Sequence, residues 1–316
     1  MSSSLKTPVL FLIFNRPDVT FRVFEEIRKA EPKQLFIAAD GPRENKEGEA
    51  ERCEQARSIL KKIDWNCEVK TMFLDKNLGC RDAVSSAITW FFNNVEEGII
   101  LEDDCLPNQN FFTFCQTLLE KYRDNERIMH IGGANFQDGI KRGSSSYYFS
   151  VYPGIWGWAT WKRAWGKYLI NMDDFESFRK NQSIFNLKPI ADYNLEKLSK
   201  TFIREISTWD YQWMYSVWKN NGICIIPNLN LISNIGFGVN ATHTIEKNSF
   251  LAEIPVYDIG IIKHPEKIII NNTADDYYSW KLVGFKGNLD YRLHEIKKKF
   301  IQLIYPIYKA LTNQIK

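Results

Sequence analysis

"GIILEDDCLP" occupies residues 98–107, and its short apolar run ends abruptly in three adjacent carboxylates, Glu102, Asp103 and Asp104. A continuous apolar run bounded by polar residues reads as a strand buried on both faces, the kind that a helix-covered parallel sheet requires. Three neighbouring acids repel one another. Either they form a solvated acidic turn, or they meet a ligand at the edge of a sheet. In an extended segment alternate side chains face opposite ways, so Glu102 and Asp104 would point to one side and Asp103 to the other.

The flanking sequence favours the sheet. "PVLFLIF" (8–14), "QLFIAAD" (34–40) and "EVKTMFL" (68–74) read as three further strands. Between them, 18–30, 48–63 and 80–92 carry apolar residues at helical spacing, with Asp18 suited to an N-cap. "FFTFCQTLLEKY" (111–122) reads as a helix and "IMHIG" (128–132) as a strand. Strand–helix alternation with short links predicts an α/β fold with a doubly wound, mixed and mostly parallel sheet. Ligands collect at the carboxyl ends of such strands. Here those ends are Asn15-Arg16, Asp40-Gly41, Asp75-Lys76-Asn77 and the acidic triplet. No GxGxxG follows the first strand and no GxxxxGK[ST] occurs, which disfavours dinucleotide-binding and P-loop readings.

After residue 140 the alternation fails. "KRGSSSYYFS" reads as a loop, and "YPGIWGWATWKRAWGKY" (152–168) sets four tryptophans among three glycines. Trp156, Trp158 and Trp161 form either a stacking platform for sugar rings or part of the core. Residues 171–206 read as polar amphipathic helices, 207–222 as a helix, "ICIIP" (223–227) as a strand and 234–244 as a glycine-punctuated loop.

Composition narrows the class. The 316 residues suffice for one large domain or two smaller ones. A net charge of +3 is too small to argue for nucleic acid. The six cysteines show neither CxxC nor zinc spacing and sit in apolar stretches, as buried thiols of a reducing compartment do. The start, MSSSLKT, lacks the features of a signal peptide, and no apolar run reaches the length of a membrane-spanning helix. The tail 289–311 puts Leu289, Leu293, Ile296, Phe300, Leu303 and Ile307 near one face beside Lys297, Lys298 and Lys299. It suits either a helix on an anionic bilayer or one docked on the domain.

Several motifs in order resemble one family. "IILEDDCLPNQNFF" resembles the acidic metal-binding motif of GT-A-fold nucleotide-sugar glycosyltransferases, above all the N-acetylglucosaminyltransferase I group and its bacterial relatives. "IFNRPDVTFRVFEEI", "FIAADGPR", "GCRDAVSSAI", "YPGIWGW", "TWDYQWM" and "NIGFGVNATH" resemble further segments of that family, and the resemblance spans about residues 8–245. It implies a catalytic domain over 1–270, divided into a nucleotide-binding half (1–135) and an acceptor-binding half (136–270), with a basic C-terminal extension over 271–316. It implies that Asp104 binds Mn²⁺ or Mg²⁺, with His243 as a further ligand. Asn15, Arg16, Asp40 and Arg81 would hold the nucleotide, and Glu102 and Asp103 the sugar or ribose. Trp156, Trp158 and Trp209 would meet the acceptor, and Asp210 would be the general base. The partners it implies are a UDP-sugar and a glycan or lipid-linked glycan. The place would be cytoplasmic, and peripheral to the membrane if the tail binds it. The chain departs from the family in carrying Gly79-Cys80 where a histidine is expected before the helix arginine. Two other readings remain: a sugar-phosphate nucleotidyltransferase, though "FNRPDVT" is not a glycine-rich basic loop, and an inactive nucleotide- or glycan-binding module, which would not need the triplet and Asp210 together. Without the resemblance, Asp210 reads as a surface residue of an amphipathic helix, and His243 and His264 as hydrogen-bonded structural histidines rather than metal or phosphate ligands.

Overall fold

The computed structural model describes residues 4–180, 188–237 and 254–282, with Gly284, Leu293, Ile296 and Lys297 beyond them. In chain order the elements begin with β1 (Val9–Ile13), α1 (Pro17–Ala30), β2 (Gln34–Ala39), α2 (Glu49–Arg57), β3 (Glu68–Phe73), α3 (Gly79–Phe92) and β4 (Glu97–Glu102). There follow β5 (Cys105–Pro107), α4 (Gln109–Lys121), β6 (Ile128–Gly132), β7 (Tyr147–Ser150), β8 (Trp158–Trp161) and α5 (Lys162–Trp165). The last are α6 (Phe175–Lys180), α7 (Lys188–Phe202), α8 (Asp210–Lys219), β9 (Ile223–Pro227), β10 (Ile232–Asn234) and α9 (Asn272–Leu282).

Eight strands form one sheet in the order β3-β2-β1-β4-β8-β6-β9-β7. β3, β2, β1 and β4 are mutually parallel, β8 runs antiparallel to both β4 and β6, and β6 pairs with β9 in parallel. The expected α/β class with a mixed, mostly parallel sheet is therefore present. Alternate strand residues sort into two layers. Val9, Phe11, Ile13, Ile99 and Leu101 pack with α1 and α4 on one face. Leu10, Leu12, Phe36 and Ile100 pack with α3, α5 and α8 on the other. Between β1 and β4 the winding reverses, because β2 and β3 build to one side of β1 and β4 to the other. This switch point is where an open α/β sheet leaves a crevice at its carboxyl edge.

The structure departs from the sequence reading in several places. α1 starts at Pro17, whose fixed φ and missing N–H suit a first helical position, so Asp18 lies inside the first turn rather than at the cap. Residues 48–63 divide into α2 and a 3-10 turn over Ser58–Lys62. The "SSSYYFS" stretch, read as a loop, supplies β7, fully buried and paired with β9. β8 enters the sheet between β4 and β6, so a strand of the expected second half is embedded beside those of the first. A two-stranded ribbon, β5 with β10, lies outside the main sheet and fixes the chain just after the triplet. α9 buries Ala274, Asp275 and Trp280, which docks the start of the C-terminal extension on the domain. Most of the tail helix expected over 289–311 lies outside the described residues, and among the described residues no helix is long and apolar enough to cross a membrane.

Candidate active site

The register of β1 on β4, Leu12 opposite Glu102, brings the turn after β1 beside the acidic triplet. Arg16 caps the start of α1, and its guanidinium ion-pairs with Asp103 and, at 3.0 Å, with Asp104. Asp103 is 3% exposed and its other oxygen accepts from Thr20 Oγ1 at 3.4 Å. Both of its oxygens are thus occupied by protein, and its part is to hold Arg16 rather than to reach a sugar. Burial opposes the Arg16 charge, yet Asp103 and Asp104 outweigh it and raise its pKa above the usual guanidinium value. Burial also raises Asp103, with Arg16 opposing.

Beyond the triplet the ribbon closes in. Ile235 N–H donates to the Asp104 carbonyl at 2.9 Å, and Gly236 lies directly over the ion pair. A Cβ at Gly236 would sit 2.2 Å from Asp104 Oδ2 and 2.8 Å from Arg16 Nη1, so only glycine fits there.

A cavity of about 650 Å³ opens at this edge, large enough for a nucleotide with an attached sugar. Arg16, Asp40, Glu102 and Asp104 line one side, and Thr208, Trp209, Asp210 and Tyr211 another. Asp210 is the first residue of α8 and accepts a hydrogen bond from Thr208 Oγ1. Burial, followed by the charges of Asp104, Asp103 and Asp210, pushes Glu102 well above the usual carboxylate range, against only partial opposition from Arg16. Burial pushes the Cys80 thiol up to about 12, helped by Glu102 and Asp210. The triplet and Asp210 therefore face one interior space. Four carboxylates meet there, with Arg16 as the cation paired to two of them, and one more positive charge would relieve the excess.

The remaining expected residues divide. Asp40 lines the cavity, but its carboxylate accepts from Gly41 N (2.8 Å), Asn77 Nδ2 (2.8 Å), Leu78 N (2.9 Å) and Gly79 N (3.0 Å), tying the end of β2 to the start of α3. Asn15 does not line the cavity, because its Nδ2 donates to the buried Glu49 at 2.8 Å. Glu49 in turn grips Arg43, which does line it. Arg43 holds Glu49 down to a pKa of about 2 despite burial. Arg81 turns away, donating to Asp82, to the Ile170 carbonyl (3.2 Å) and to Asn171 (3.1 Å). Trp158 offers no face to a sugar ring: it is fully buried, stacked on Trp209 at 5.7 Å and on His130 at 5.1 Å. Trp161 is buried in the opposite layer. Trp209 forms cavity floor at 1% exposure, and half-buried Trp156 lines the cavity edge-on to Phe136 and Phe237. His264 hydrogen-bonds Tyr147 at 3.0 Å, beside β7. His243 lies outside the described residues.

Sequence reasoning missed Arg43 and Lys197 as lining residues, while Asn77, at the end of the third strand, lines the cavity where the strand ends were expected to meet a ligand. Arg43 stood inside the quoted "FIAADGPR", but nothing local marks Glu49 as its buried partner. Lys197 is one lysine in a polar amphipathic stretch.

Among the described residues no group of three His, Cys, Asp or Glu side chains is arranged to hold a metal ion. The donor set nonetheless suits a hard divalent cation held by one carboxylate and completed by ligand oxygens, because every candidate donor at the triplet is oxygen and Asp104, like Glu102, is only partly buried and lines the cavity.

A scan against protein-family models finds no match, and neither does a comparison with curated proteins. Solved structures similar to the chain include GalNAc-T7 with UDP, GalNAc and Mn²⁺, at 11% identity and a TM-score of 0.45, with 78% of this chain covered. The chain spans 46% of the length of that protein. HddC from Yersinia pseudotuberculosis is similar at 11% identity and a TM-score of 0.30, covering 50% of this chain and 77% of that one. The 4-diphosphocytidyl-2C-methyl-D-erythritol synthase from Anaerococcus prevotii is similar at 10% identity and a TM-score of 0.33, covering 68% and 98%. Likeness at this level fixes no function, which has to come from the site.

Proposed function

We propose that the chain is a metal-dependent, inverting glycosyltransferase of GT-A type. It moves a sugar, an N-acetylhexosamine by the resemblance, from a UDP-sugar to a hydroxyl of a glycan or lipid-linked glycan in bacterial surface-glycan synthesis. The observation that carries this reading is the meeting of Glu102, Asp104 and Asp210 in one cavity at the switch point between β1 and β4. A bare cation site or a nucleotide-binding module needs no further carboxylate base in the same cavity.

In this reading Asp104 holds Mn²⁺ or Mg²⁺, which when bound offsets the charge of the leaving nucleoside diphosphate. Arg16 and Arg43 lie on the nucleotide side, and Glu102 reaches the donor sugar. Asp210 takes the proton of the acceptor hydroxyl as that oxygen bonds to the anomeric carbon from the face opposite the diphosphate. The bond to UDP breaks and the configuration inverts. Close approach of the base matters more here than a large pKa shift. Trp156 is the aromatic edge available to an acceptor ring. A peripheral position on an anionic bilayer, through the basic tail, belongs to the same proposal, and flotation of the chain with residues 285–316 deleted tests it.

The test is a thermal-shift panel of nucleotide sugars with and without Mn²⁺, followed by Asp210→Asn. We expect a metal-dependent shift with one UDP-sugar, unchanged donor binding in the variant and transfer reduced at least a hundredfold, as loss of a general base entails. No shift with any UDP-sugar would remove the reading. Full turnover by the variant would remove Asp210 from its role. A shift with nucleoside triphosphate plus sugar phosphate, and none with UDP-sugars, would point to a nucleotidyltransferase.

A further inference from the structure

Arg16 is held by Asp103 and Asp104, and Arg43 by Glu49. Lys197 also lines the cavity but is held differently. It projects from α7 with its Nζ 5.5 Å from the centroid of the Tyr193 ring, and no carboxylate among the described residues lies within ion-pair distance of it. Its chain neighbour Glu196 is engaged by Lys200 at 2.7 Å. A ring face steadies an ammonium without neutralising it, so the charge remains available.

α7, which carries Lys197, packs against α8, which begins at Asp210, and both residues line the cavity. Tyr211, one residue after Asp210, lines the same cavity, and its phenol is raised first by burial and then by Asp210 and Tyr193. Lys197, Tyr193, Tyr211 and Asp210 thus form one neighbourhood, built from α7 and α8 rather than from the strand ends that hold Arg16. Among the other charged lining residues, Arg16 and Arg43 are already held by carboxylates, and Asp40, Glu102, Asp103, Asp104 and Asp210 outnumber them, so an anion beside Asp210 meets excess negative charge. A neutral acceptor has no need of an uncommitted ammonium beside the base, whereas an anionic acceptor needs one to enter.

We propose that the acceptor carries an oxyanion, a carboxylate or a phosphate, which docks on Lys197 and so presents the nucleophilic hydroxyl to Asp210. This rests on the glycosyltransferase reading and names the substrate class for that site.

The experiment titrates the full-length chain, first with UDP in Mn²⁺ and then, UDP-loaded, with methyl glucuronide, glucose 6-phosphate and methyl glucoside, using calorimetry or ligand-observed NMR. A charge-assisted contact predicts that at least one anionic probe binds about ten- to a hundredfold tighter than the neutral glycoside. Lys197→Gln should abolish that preference and Lys197→Arg should keep it, with UDP affinity unchanged in both. Preference for the glucuronide alone would identify an acidic sugar as the source, and preference for the phosphate alone a phosphorylated acceptor. If UDP binds but the wild-type chain does not discriminate, or Lys197→Gln still does, the inference fails by itself. If Lys197→Gln weakens UDP, the lysine serves the donor and the inference is overturned. If UDP does not bind the wild-type chain at all, the functional reading falls, and this inference with it.

Discussion

Replacing Arg16 by glutamine tests the electrostatic core of the site. The guanidinium is 19% exposed and lies 3.0 Å from Asp104, while Asp103 is 4% exposed, so the variant strands two carboxylates with little access to water. A unit pair at ~4 Å in an effective dielectric of about 20 is worth roughly 4 kcal/mol. Two such pairs do not simply add, because Asp103 and Asp104 repel each other and burial of Arg16 opposes its charge. Breaking a buried pair by removing one partner costs about 3–5 kcal/mol. At ~2 °C per kcal/mol for a chain of this size, Tm should fall by about 6–10 °C at pH 8. The loss should shrink toward pH 5. Glu102 and Asp103 are already raised in the folded state by burial, and without Arg16 they bind more protons than the unfolded chain does, so stability falls as pH rises through their range. Thermal unfolding of wild type and Arg16→Gln at half-unit steps from pH 5 to pH 8 measures this. A drop under 2 °C at pH 8, or an equal drop at every pH, would refute the account of Arg16 as the counter-charge of the triplet.

Asp275 is pushed up to about 7 by burial, with Ser150 and the Val151 N–H opposing. The folded chain therefore keeps a proton that the unfolded chain releases near pH 4, and this group's contribution to stability declines as pH rises from about 4 through about 7. Asp275→Asn should gain stability relative to wild type across that window in denaturant titrations, and parallel curves would contradict the assignment. Trp158→Ala should cost about 3–5 kcal/mol in urea unfolding, since it empties the stack between Trp209 and His130. Trp158→Phe should cost much less, because Trp158 Nε1 has no hydrogen-bond partner among the described residues and the ring is largely replaced. Glu49→Gln should cost about 1–3 kcal/mol and loosen Arg43, read as weaker UDP binding with the transfer rate at saturating donor unchanged.

β1, β2 and β4 were legible because each is a short apolar run closed by polar residues, and burial on both faces leaves no other composition for a central parallel strand, whereas β3 is the edge strand, with no fully buried residue, and showed only through its place in the alternation. β8 was not legible. It has four residues, two of them tryptophan, and its partners β4 and β6 are distant in the chain. The spacing of Trp156 and Trp158 suggested a shared face, but the left-handed turn at Gly157 (φ 58°) breaks the alternation, leaving Trp156 at the cavity and Trp158 in the core. β7 was hidden by the serines before it. At the site, the triplet and Arg16 were readable as strand ends, and Asp210 through its motif. The commitments of Asp40 to α3 and of Asn15 to Glu49 were not, because hydrogen-bond partners across loops leave no local pattern. Arg81 sits at the expected helix start, yet its direction is set by the carbonyl of Ile170 and by Asn171, far along the chain.

The insertion of β8 between β4 and β6 also bears on how the chain is made. As it leaves the ribosome, β1 to β4 are complete some sixty residues before β8 emerges. During that interval β4, the strand carrying the acids, presents an unpaired edge, the kind of edge that recruits other chains. Nascent chains stopped before residue 158 should therefore be the sticky ones, and a fragment confined to the first 135 residues is the wrong piece to express in search of an isolated nucleotide-binding module.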